Sequence, residues 1–558
     1  MNFIKIYADG FHDHWDLTAM TDYATGRTVT YGNLVERIHR MHLLLEELDV
    51  SKGARVAVVG RNSIEWIYAY MGVITQGATA VTLPPLGETS ELLSYLADAE
   101  VEYLFVDRDI VGADGFDIAS VPMLKAVISI DTRTLLAARP EYAERISNVL
   151  ASLDDLFAAA YPYGFKREHA VVPPLAPDDV VAIFFTSGTV RRPRGVMLMA
   201  DNLEGNIIHG MKINLFPPGS DAVTATTLGT VWGTVFNVLV PLASGAHLII
   251  TDRVNDPAAL ADVFMRYKPD RLMLSTFALA RFYDYARRVN ASSELVRLTR
   301  RLPGGSWIEN VRLRRTINRL LGGRYREIMI GYTPMGQTLS YRLRRAGVRF
   351  TVIYGLTECG GLVSYSPYSS YRSGTAGHII SGLLRCRVRP IDYKGLPPGA
   401  GELEVKGMTV MKGYIGPGET PEIPLTGDGW LQTDDICTIT SHGDITVVGR
   451  KSTLIHLDRG VVSPERLQTI LYENPEIAEC VVMGCDGRVK VMVYPDYKEL
   501  ARRHGDQDVE SVIRGVVSDV NRTLSFIERI DDIEIAKETL HLSFKKTVAR
   551  YYYCPTDY

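Results

Sequence analysis

The chain has 558 residues, which is more than one hydrophobic core supports, so at least two domains are expected. Its formal net charge of -4 argues against a general nucleic-acid binder. No run of 18 apolar residues, no signal-peptide pattern and no paired C-x-x-C motif occurs, which favours a cytoplasmic protein with free thiols, no membrane span and no zinc site.

Short apolar strands alternate with amphipathic segments through the first 130 residues. The run 55–59 (RVAVV) predicts a buried strand, and Asn62 or Ser63 is expected to cap the following helix, which Gly77 ends. Further strands are predicted at 78–84, 103–107 and 125–131, with a helix at about 88–99. This alternation indicates a parallel sheet with helices on both faces.

The same alternation of strands and helices returns in the middle of the chain, and hairpin patterns follow it. Strands are predicted at 180–185, 240–252, 270–275, 326–334 and 350–358, with a helix at 339–347. A hairpin pattern at 386–407 predicts a small β-rich lobe. The last hundred residues, with a helix from Pro464 and a hairpin turn at Asp486-Gly487, predict a small α+β domain.

The segment 297–326 is rich in arginine, and two interpretations stay open. It is either a solvated helix face or a landing site for a polyphosphate or an acidic surface.

Four segments, in order along the chain, carry a family resemblance. They are FFTSGTVRRPRGVML at 184–198, IYGLTECGG at 353–361, GELEVKGMTVMKGYIG at 401–416 and GWLQTDDICTITSHGDITVVGRKSTLI at 429–455. Together they resemble the motifs of the adenylate-forming superfamily, which includes acyl-CoA synthetases, luciferases and nonribosomal adenylation domains. In texture the chain is most similar to bacterial AMP-forming long-chain fatty-acid–CoA ligases. The resemblance implies an α/β N-terminal AMP-binding domain over 1–451 and a mobile α+β C-terminal domain over 452–558, with a hinge near Ser452.

The resemblance also implies a two-step reaction. A carboxylic acid, most simply a fatty acid, attacks the α-phosphate of ATP in the presence of Mg²⁺ and gives an acyl-adenylate and pyrophosphate. A thiol then displaces AMP, supplied by coenzyme A or by an acyl carrier protein. Nucleic acid is not an expected partner, while peripheral contact with a membrane and the oligomeric state are left open.

Five residues of the matched motifs are candidates for handling ATP. A hard cation prefers oxygen ligands, so Glu358 is the expected Mg²⁺ ligand, and Thr357 is expected to bind the α-phosphate. Tyr354 offers a flat face for adenine, and Asp435 and Arg450 are expected to hold the ribose. The alternatives are a surface carboxylate for Glu358 and a structural salt bridge between Asp435 and Arg450.

The phosphate loop and the adenine segment supply the remaining candidates. Backbone N–H groups and hydroxyls at a strand end form an anion-binding nest, and such a nest is predicted for pyrophosphate at Thr186, Ser187, Gly188 and Thr189. Gly331, Tyr332 and Gly355 are expected beside the nucleotide.

The chain departs from the family pattern at several of these places. Val190 and Arg191 stand where the loop usually has threonine and glycine, and Arg194 replaces its lysine. We expect Arg191 to contact the β- or γ-phosphate, since a guanidinium there has an obvious partner. Asp434 replaces the glycine of the T-G-D turn, and the loop after the hinge is one residue shorter than usual.

Two further departures affect the acyl and C-terminal sites. Thr230 takes the place of a histidine, and the nearby Trp232 and Phe236 either narrow an acyl pocket or belong to the core. Thr547 falls at the position of the adenylation lysine, which leaves Lys546 as the candidate donor. Two alternatives to a weakly active CoA ligase therefore stay open: a catalytically impaired relative that acts by binding, and an acyl-carrier-protein or amide-forming ligase.

Overall fold

The computed structural model describes residues 3–85, 88–111, 116–186, 192–292, 305–415, 423–542, 548 and 550–553. In these ranges none of the helices has both the length and the apolar character that crossing a membrane requires. The α-helices are Phe3–Asp13, Tyr31–Glu47, Ile64–Gln76, Thr89–Asp98, Arg108–Val111, Pro140–Ala160, Ala200–Lys212, Val231–Thr234, Val240–Ala243, Pro257–Tyr267, Thr276–Ala291, Gly305–Leu320, Gln337–Arg345, Pro464–Leu471, Tyr497–His504 and Val509–Thr523.

Within the described residues, twenty-six strands form the sheets, and they are numbered along the chain. They are β1 Thr18–Asp22, β2 Thr28–Thr30, β3 Arg55–Val59, β4 Thr79–Leu83, β5 Tyr103–Val106, β6 Ala126–Ser129, β7 Leu135–Ala138, β8 Val180–Phe185, β9 Gly195–Met199, β10 Asp221–Val223, β11 His247–Ile250, β12 Arg271–Ser275, β13 Glu327–Gly331, β14 Phe350–Val352, β15 Tyr354–Leu356, β16 Gly361–Ser364, β17 Leu384–Pro390, β18 Gly401–Gly407, β19 Gly413–Ile415, β20 Leu431–Ile439, β21 Ile445–Arg450, β22 Ile455–Leu457, β23 Gly460–Val462, β24 Ile477–Cys485, β25 Arg488–Pro495 and β26 Asp532–Ile535.

The largest sheet has eight strands in the order β19-β9-β8-β4-β3-β5-β6-β7. Its centre, from β8 to β6, is parallel, as the alternation of strands and helices predicts. Its edges are antiparallel, because the connections from β8 to β9 and from β6 to β7 are shorter than the dozen or so residues that a parallel crossover needs. The predicted parallel arrangement is therefore present in the centre of the sheet, and antiparallel strands extend it at both edges.

A second, three-stranded sheet of β12, β13 and β14 is wholly parallel. Its carboxyl ends lie together at Ser275, Gly331 and Val352. The hairpin of β15 and β16 follows directly. Since ligands of open α/β sheets bind outside the carboxyl ends of the strands, this edge is where a site is expected.

The sheet β10-β11-β1-β2, the hairpin β22-β23 and two further units complete the described fold. The antiparallel sheet β17-β18-β20-β21 is the β-rich lobe that the hairpin pattern predicts. The last sheet, β24-β25-β26, packs with the helices Pro464–Leu471 and Val509–Thr523 around a hydrophobic cluster of its own. The predicted hairpin turn is confirmed, with positive φ at both Asp486 (50°) and Gly487 (71°).

Of the two predicted caps for the helix after β3, the structure shows Ser63, whose side chain accepts a hydrogen bond from the N–H of Trp66. Gly77 ends this helix with a φ of 101°. Asn62 has a different role: its buried amide donates to three backbone carbonyls and accepts from the N–H of Leu228. Asn62 thereby fixes the loop 224–228 against the end of β3.

The arginine-rich segment is described only in part. Within the helix Gly305–Leu320, Arg314, Arg315 and Arg319 are exposed, as a solvated helix face requires. Residues 297–304 lie outside the described ranges.

Candidate active site

A buried carboxylate, Asp435, connects two of the predicted nucleotide-binding residues. Asp435 on β20 lies opposite Arg450 on β21 in the strand register, and the Nε of Arg450 donates to Oδ1 at 3.0 Å. The hydroxyl of Tyr354, the first residue of β15, donates to Oδ2 at 2.6 Å. Asp435 is only 5% exposed. The structure thus brings Tyr354 to Asp435 and Arg450, although Tyr354 and Asp435 stand 81 positions apart in the sequence.

Burial and the neighbouring charge shift the pKa of the Asp435 carboxyl in opposite directions. Burial raises the pKa of the Asp435 carboxyl, while Arg450 and the Tyr354 hydroxyl oppose that rise. The negative charge of Asp435 raises the pKa of Arg450, so the guanidinium keeps its charge. The salt bridge considered from the sequence is therefore present. A carboxylate has about four lone-pair sites, so it can accept further hydrogen bonds, and the ribose contact stays a prediction.

A second network surrounds Glu358, the predicted metal ligand. The hydroxyl of Tyr414 on β19 donates to Oε1 of Glu358 at 2.7 Å. The guanidinium carbon of Arg194 lies 3.6 Å from the centre of the Tyr414 ring, which is close cation–π geometry. Tyr414 lies opposite Val196 where β19 pairs with β9, and this pairing brings it beside Arg194. Glu358 is therefore held by a partner, unlike a free surface carboxylate.

Asn206 holds the turn that carries Thr357 and Glu358 in place through two hydrogen bonds. This turn is a single 3-10 turn, and it ends at Gly360 with a φ of 61°. Asn206, buried in the helix Ala200–Lys212, donates to the carbonyl of Cys359 at 3.1 Å and accepts from the N–H of Leu362 at 3.1 Å. The sequence analysis missed Asn206. Its only signal is an amide side chain on the buried face of an amphipathic helix.

Two aromatic rings lie against the same hairpin. Trp232 and Phe236, 5% and 1% exposed, stack with their ring centres 5.1 Å apart. A Cβ at Gly355 would lie 2.5 Å from Cζ2 of Trp232, and one at Gly361 would lie 2.8 Å from Cε2 of Phe236. Both rings belong to the core, and they also form a wall directly behind β15 and β16.

Thr230 and Tyr332 meet at the other side of this wall. Thr230 caps the helix Val231–Thr234 by accepting from the N–H of Gly233. Its Oγ1 lies 3.1 Å from the hydroxyl of Tyr332. Tyr332 follows Gly331 at the carboxyl end of β13 and has a φ of 75°, an uncommon value for a bulky residue. Such strain is typical of ligand sites.

The phosphate loop is described at its two ends. The N–H of Thr186 donates to the carbonyl of Arg194, and the N–H of Arg194 donates to Oγ1 of Thr186, each at 3.0 Å. Arg192 turns to the helix Thr89–Asp98 and pairs with Asp98 at 2.9 Å. The other predicted loop residues, Ser187, Gly188, Thr189, Val190 and Arg191, lie outside the described residues, as do Lys546 and Thr547.

Comparisons with known proteins agree on one family. A family model described as "AMP-binding enzyme" matches residues 9–415. The 4-coumarate–CoA ligase-like 4 of Oryza sativa subsp. japonica is 26% identical over 482 residues, which cover 84% of this chain and 78% of the relative. A long-chain-fatty-acid–CoA ligase of Escherichia coli O6:H1 is 25% identical over 475 residues, which cover 82% of this chain and 79% of the relative.

Solved structures show the same fold. The anthranilate CoA ligase AuaEII in complex with anthranoyl-AMP matches with a TM-score of 0.76 and 18% identity, over 100% of this chain and 97% of that one. ATP-bound MatB from Rhodopseudomonas palustris matches with a TM-score of 0.74 and 22% identity, over 100% of this chain and 99% of that one.

Proposed function

The chain belongs to the AMP-binding enzyme family, and we propose that it activates a carboxylic acid with Mg-ATP to an acyl-adenylate and transfers the acyl group to a thiol. One observation carries this proposal. The short strand β15 begins with Tyr354, which binds the buried Asp435, and the turn after it carries Glu358, which binds Tyr414. A single rigid segment therefore presents the proposed nucleotide and metal groups four residues apart.

The carboxylate of Glu358 would suit a magnesium ion that takes its other oxygen ligands from the substrate. Mg²⁺ is usually held by one or two carboxylates together with substrate phosphates. Glu358 is half-buried at a strand end, and Tyr414 orients its carboxylate through Oε1. When bound, the ion would neutralise charge that develops on the phosphates.

The protein residues would then divide the work of binding ATP. Thr357 would donate its hydroxyl to the α-phosphate, and Asp435 and Arg450 would hold the ribose. Tyr354, Gly331 and Tyr332 would surround the adenine. We also propose Arg191 as a contact of the β- or γ-phosphate and Lys546 as the C-terminal donor in adenylation.

The acid and the acceptor are narrower proposals. A fatty acid and coenzyme A are supported by the name of the long-chain-fatty-acid–CoA ligase that this chain resembles. The name of the 4-coumarate–CoA ligase-like relative supports an aromatic acid equally. The substituted loop and lysine motifs favour a second candidate, a catalytically impaired relative that still binds nucleotide.

Carboxylate-dependent exchange of labelled pyrophosphate into ATP tests the proposal across a panel of fatty and aromatic acids. Glu358→Gln keeps the size of the side chain and removes its charge, so exchange should fall by about 10²-fold or more. Glu510→Gln, which changes an exposed carboxylate on the helix Val509–Thr523, should leave exchange unchanged. Parental exchange in Glu358→Gln would show that Glu358 is not the metal ligand.

The same assay separates the alternatives. Nucleotide binding without exchange for any acid would favour the impaired relative. Exchange without thioester formation from coenzyme A would favour a carrier-protein or amide acceptor.

A further inference from the structure

A short turn, Lys451–Thr453, joins β21 of the β-rich lobe to β22, where the C-terminal domain begins. The hydrophobic cluster after it, from Ile455 to Ile530, is separate from the main core. A small cluster of Ala400, Ile436, Leu454 and Val461 spans the two sides. Units with separate cores and a small shared interface are expected to move relative to each other, and this turn is the pivot.

Three consecutive side chains at the pivot are bound by carboxylates of the preceding lobe. Arg450 pairs with Asp435 at 3.0 Å, and Nζ of Lys451 donates to Glu402 at 3.0 Å. Ser452 is held by Asp434 at two points: its backbone N–H donates to Oδ1 at 3.2 Å, and its hydroxyl donates to Oδ2.

The bond from Asp434 differs from the other two because it reaches the backbone. Long side chains such as those of Arg450 and Lys451 can keep an ion pair while the main chain turns beneath them. A bond to the N–H of Ser452 breaks when the peptide group before that residue rotates. Any turn of the pivot about this peptide therefore releases Asp434.

The backbone conformation of Asp434 also draws attention to this residue. Its φ is 65°, in the left-handed region where glycine is the default and aspartate is one of the few other residues found. An aspartate kept at such a position is explained when its side chain makes a bond that glycine cannot make. The two bonds to Ser452 supply that explanation.

We propose that Asp434 is a latch that holds the pivot at Ser452 and thereby fixes the orientation of the C-terminal domain. Asp434 is a positioning residue, since it acts through Ser452. The link to catalysis rests on the proposed function, in which Lys546 of the C-terminal domain serves adenylation. Under that function, releasing the latch alters the balance between adenylation and thioester formation.

Hydrogen–deuterium exchange on the full chain tests the latch without relying on activity. Asp434→Gly removes both bonds and suits the left-handed backbone, so the variant is expected to fold. Amide exchange in the segment 451–453 should rise at least tenfold. Ser452→Ala, which keeps the bond from the N–H, should give a smaller rise.

The chain offers a matched control in Asp486, a second aspartate with positive φ, at the turn of the hairpin β24-β25. Asp486→Gly should leave exchange at 451–453 at the parental value. Parental exchange in Asp434→Gly, or an equal rise in Asp486→Gly, would overturn the latch.

A second measurement compares pyrophosphate exchange with thioester formation in the same variants. Asp434→Gly should change their ratio, and Asp486→Gly should not. If amide exchange is faster but the ratio is unchanged, Asp434 holds the pivot without affecting catalysis, and its proposed role in catalysis is overturned. If the parent protein shows no pyrophosphate exchange at all, the proposed function fails, while amide exchange still decides the latch.

Discussion

Tyr414 joins the cation of the phosphate loop to the proposed metal ligand without carrying a charge itself. Its ring lies under the Arg194 guanidinium, and its hydroxyl donates to Glu358. Burial raises the pKa of Tyr414 far above its ordinary value, and the charge of Glu358 adds to this rise. The phenol therefore stays protonated, and remains a donor, throughout the range in which enzymes are assayed.

Tyr414→Phe should lower kcat/KM for adenylation by about 10- to 100-fold, because a hydrogen bond to a charged group is worth about 1.5–3 kcal/mol. The defect should be the same from pH 6 to pH 9 and should raise the Mg²⁺ concentration needed for half-maximal rate. Tyr103→Phe, which removes a buried hydrogen bond to Leu48 far from the site, is the control. A defect that varies with pH, or an unchanged Mg²⁺ requirement, would contradict this role.

The loss of kcat/KM for adenylation should be smaller in Arg194→Lys than in Arg194→Ala, since lysine keeps the charge above the Tyr414 ring.

The motifs single out candidate site residues but not the contacts that these residues make. Tyr354, Glu358, Asp435 and Arg450 were identified because each stands in a short recognisable segment. The bond between Asn206 and Cys359 spans 153 positions, and no local pattern encodes it. The roles proposed for the ATP-binding residues stay predictions.

The helix Gln337–Arg345 begins just after the segment Gly331–Pro334 and lacks a cap of its own. Its N-cap is Gly336, and the backbone N–H groups of Thr338 and Leu339 donate instead to Oε1 of Glu473, at 3.0 and 3.3 Å. A Cβ at Gly336 would lie 2.2 Å from that oxygen. An anion at a helix N-terminus is favourable, so Glu473 ties the C-terminal domain to this helix.

Glu473→Ala should lower the free energy of unfolding by about 1 kcal/mol, the usual cost of losing a cap. Glu473→Gln keeps an acceptor and should lose less. Urea denaturation of both variants and of the control Glu538→Ala, at an exposed position outside any helix, measures the difference. Equal stability of Glu473→Ala and the control would show that the helix does not depend on this cap.

At the level of elements, alternation predicted the strands well and their partners poorly. Most strands from β3 to β25 lie where short apolar runs predict them. The pairing of β1 with β11, and of β19 with β9, depends on segments more than 200 residues apart. The strand predicted over 240–252 is confined to β11, His247–Ile250, because Val240–Ala243 continues the helical run that begins at Val231.

Two histidines, the buried His39 and the half-buried His42, lie side by side in the N-terminal part of the molecule. The rings of His39 and His42 are 5.1 Å apart, and Nε2 of His42 lies 2.8 Å from the hydroxyl of Thr75. Burial lowers the pKa of His39 to about 4 and that of His42 to about 3. Both imidazoles are therefore neutral in the folded protein, while in the unfolded chain they take up protons near pH 6.5.

Stability should consequently fall as the pH drops from 6.5 to 4, since the unfolded chain binds more protons in this range. Each histidine contributes roughly 3 kcal/mol to the loss at pH 4. His42→Gln removes one titrating group and keeps a partner for Thr75, so its unfolding free energy should depend less on pH. The exposed-site variant His12→Gln should follow the parent. Parallel curves for parent and His42→Gln from denaturant titrations would contradict this account.

The position of β9 in the eight-stranded sheet has a consequence for synthesis of the chain. β9 is bordered on one side by β8 and on the other by β19, which emerges from the ribosome more than 200 residues later. At 5–20 residues per second, the nascent chain exposes the edge of β9 for roughly 10–40 s. The segment GVMLM is apolar and uncharged, so this open edge is a template for aggregation. Fragments that stop before residue 413 keep that edge open permanently, and their solubility should depend on chaperones.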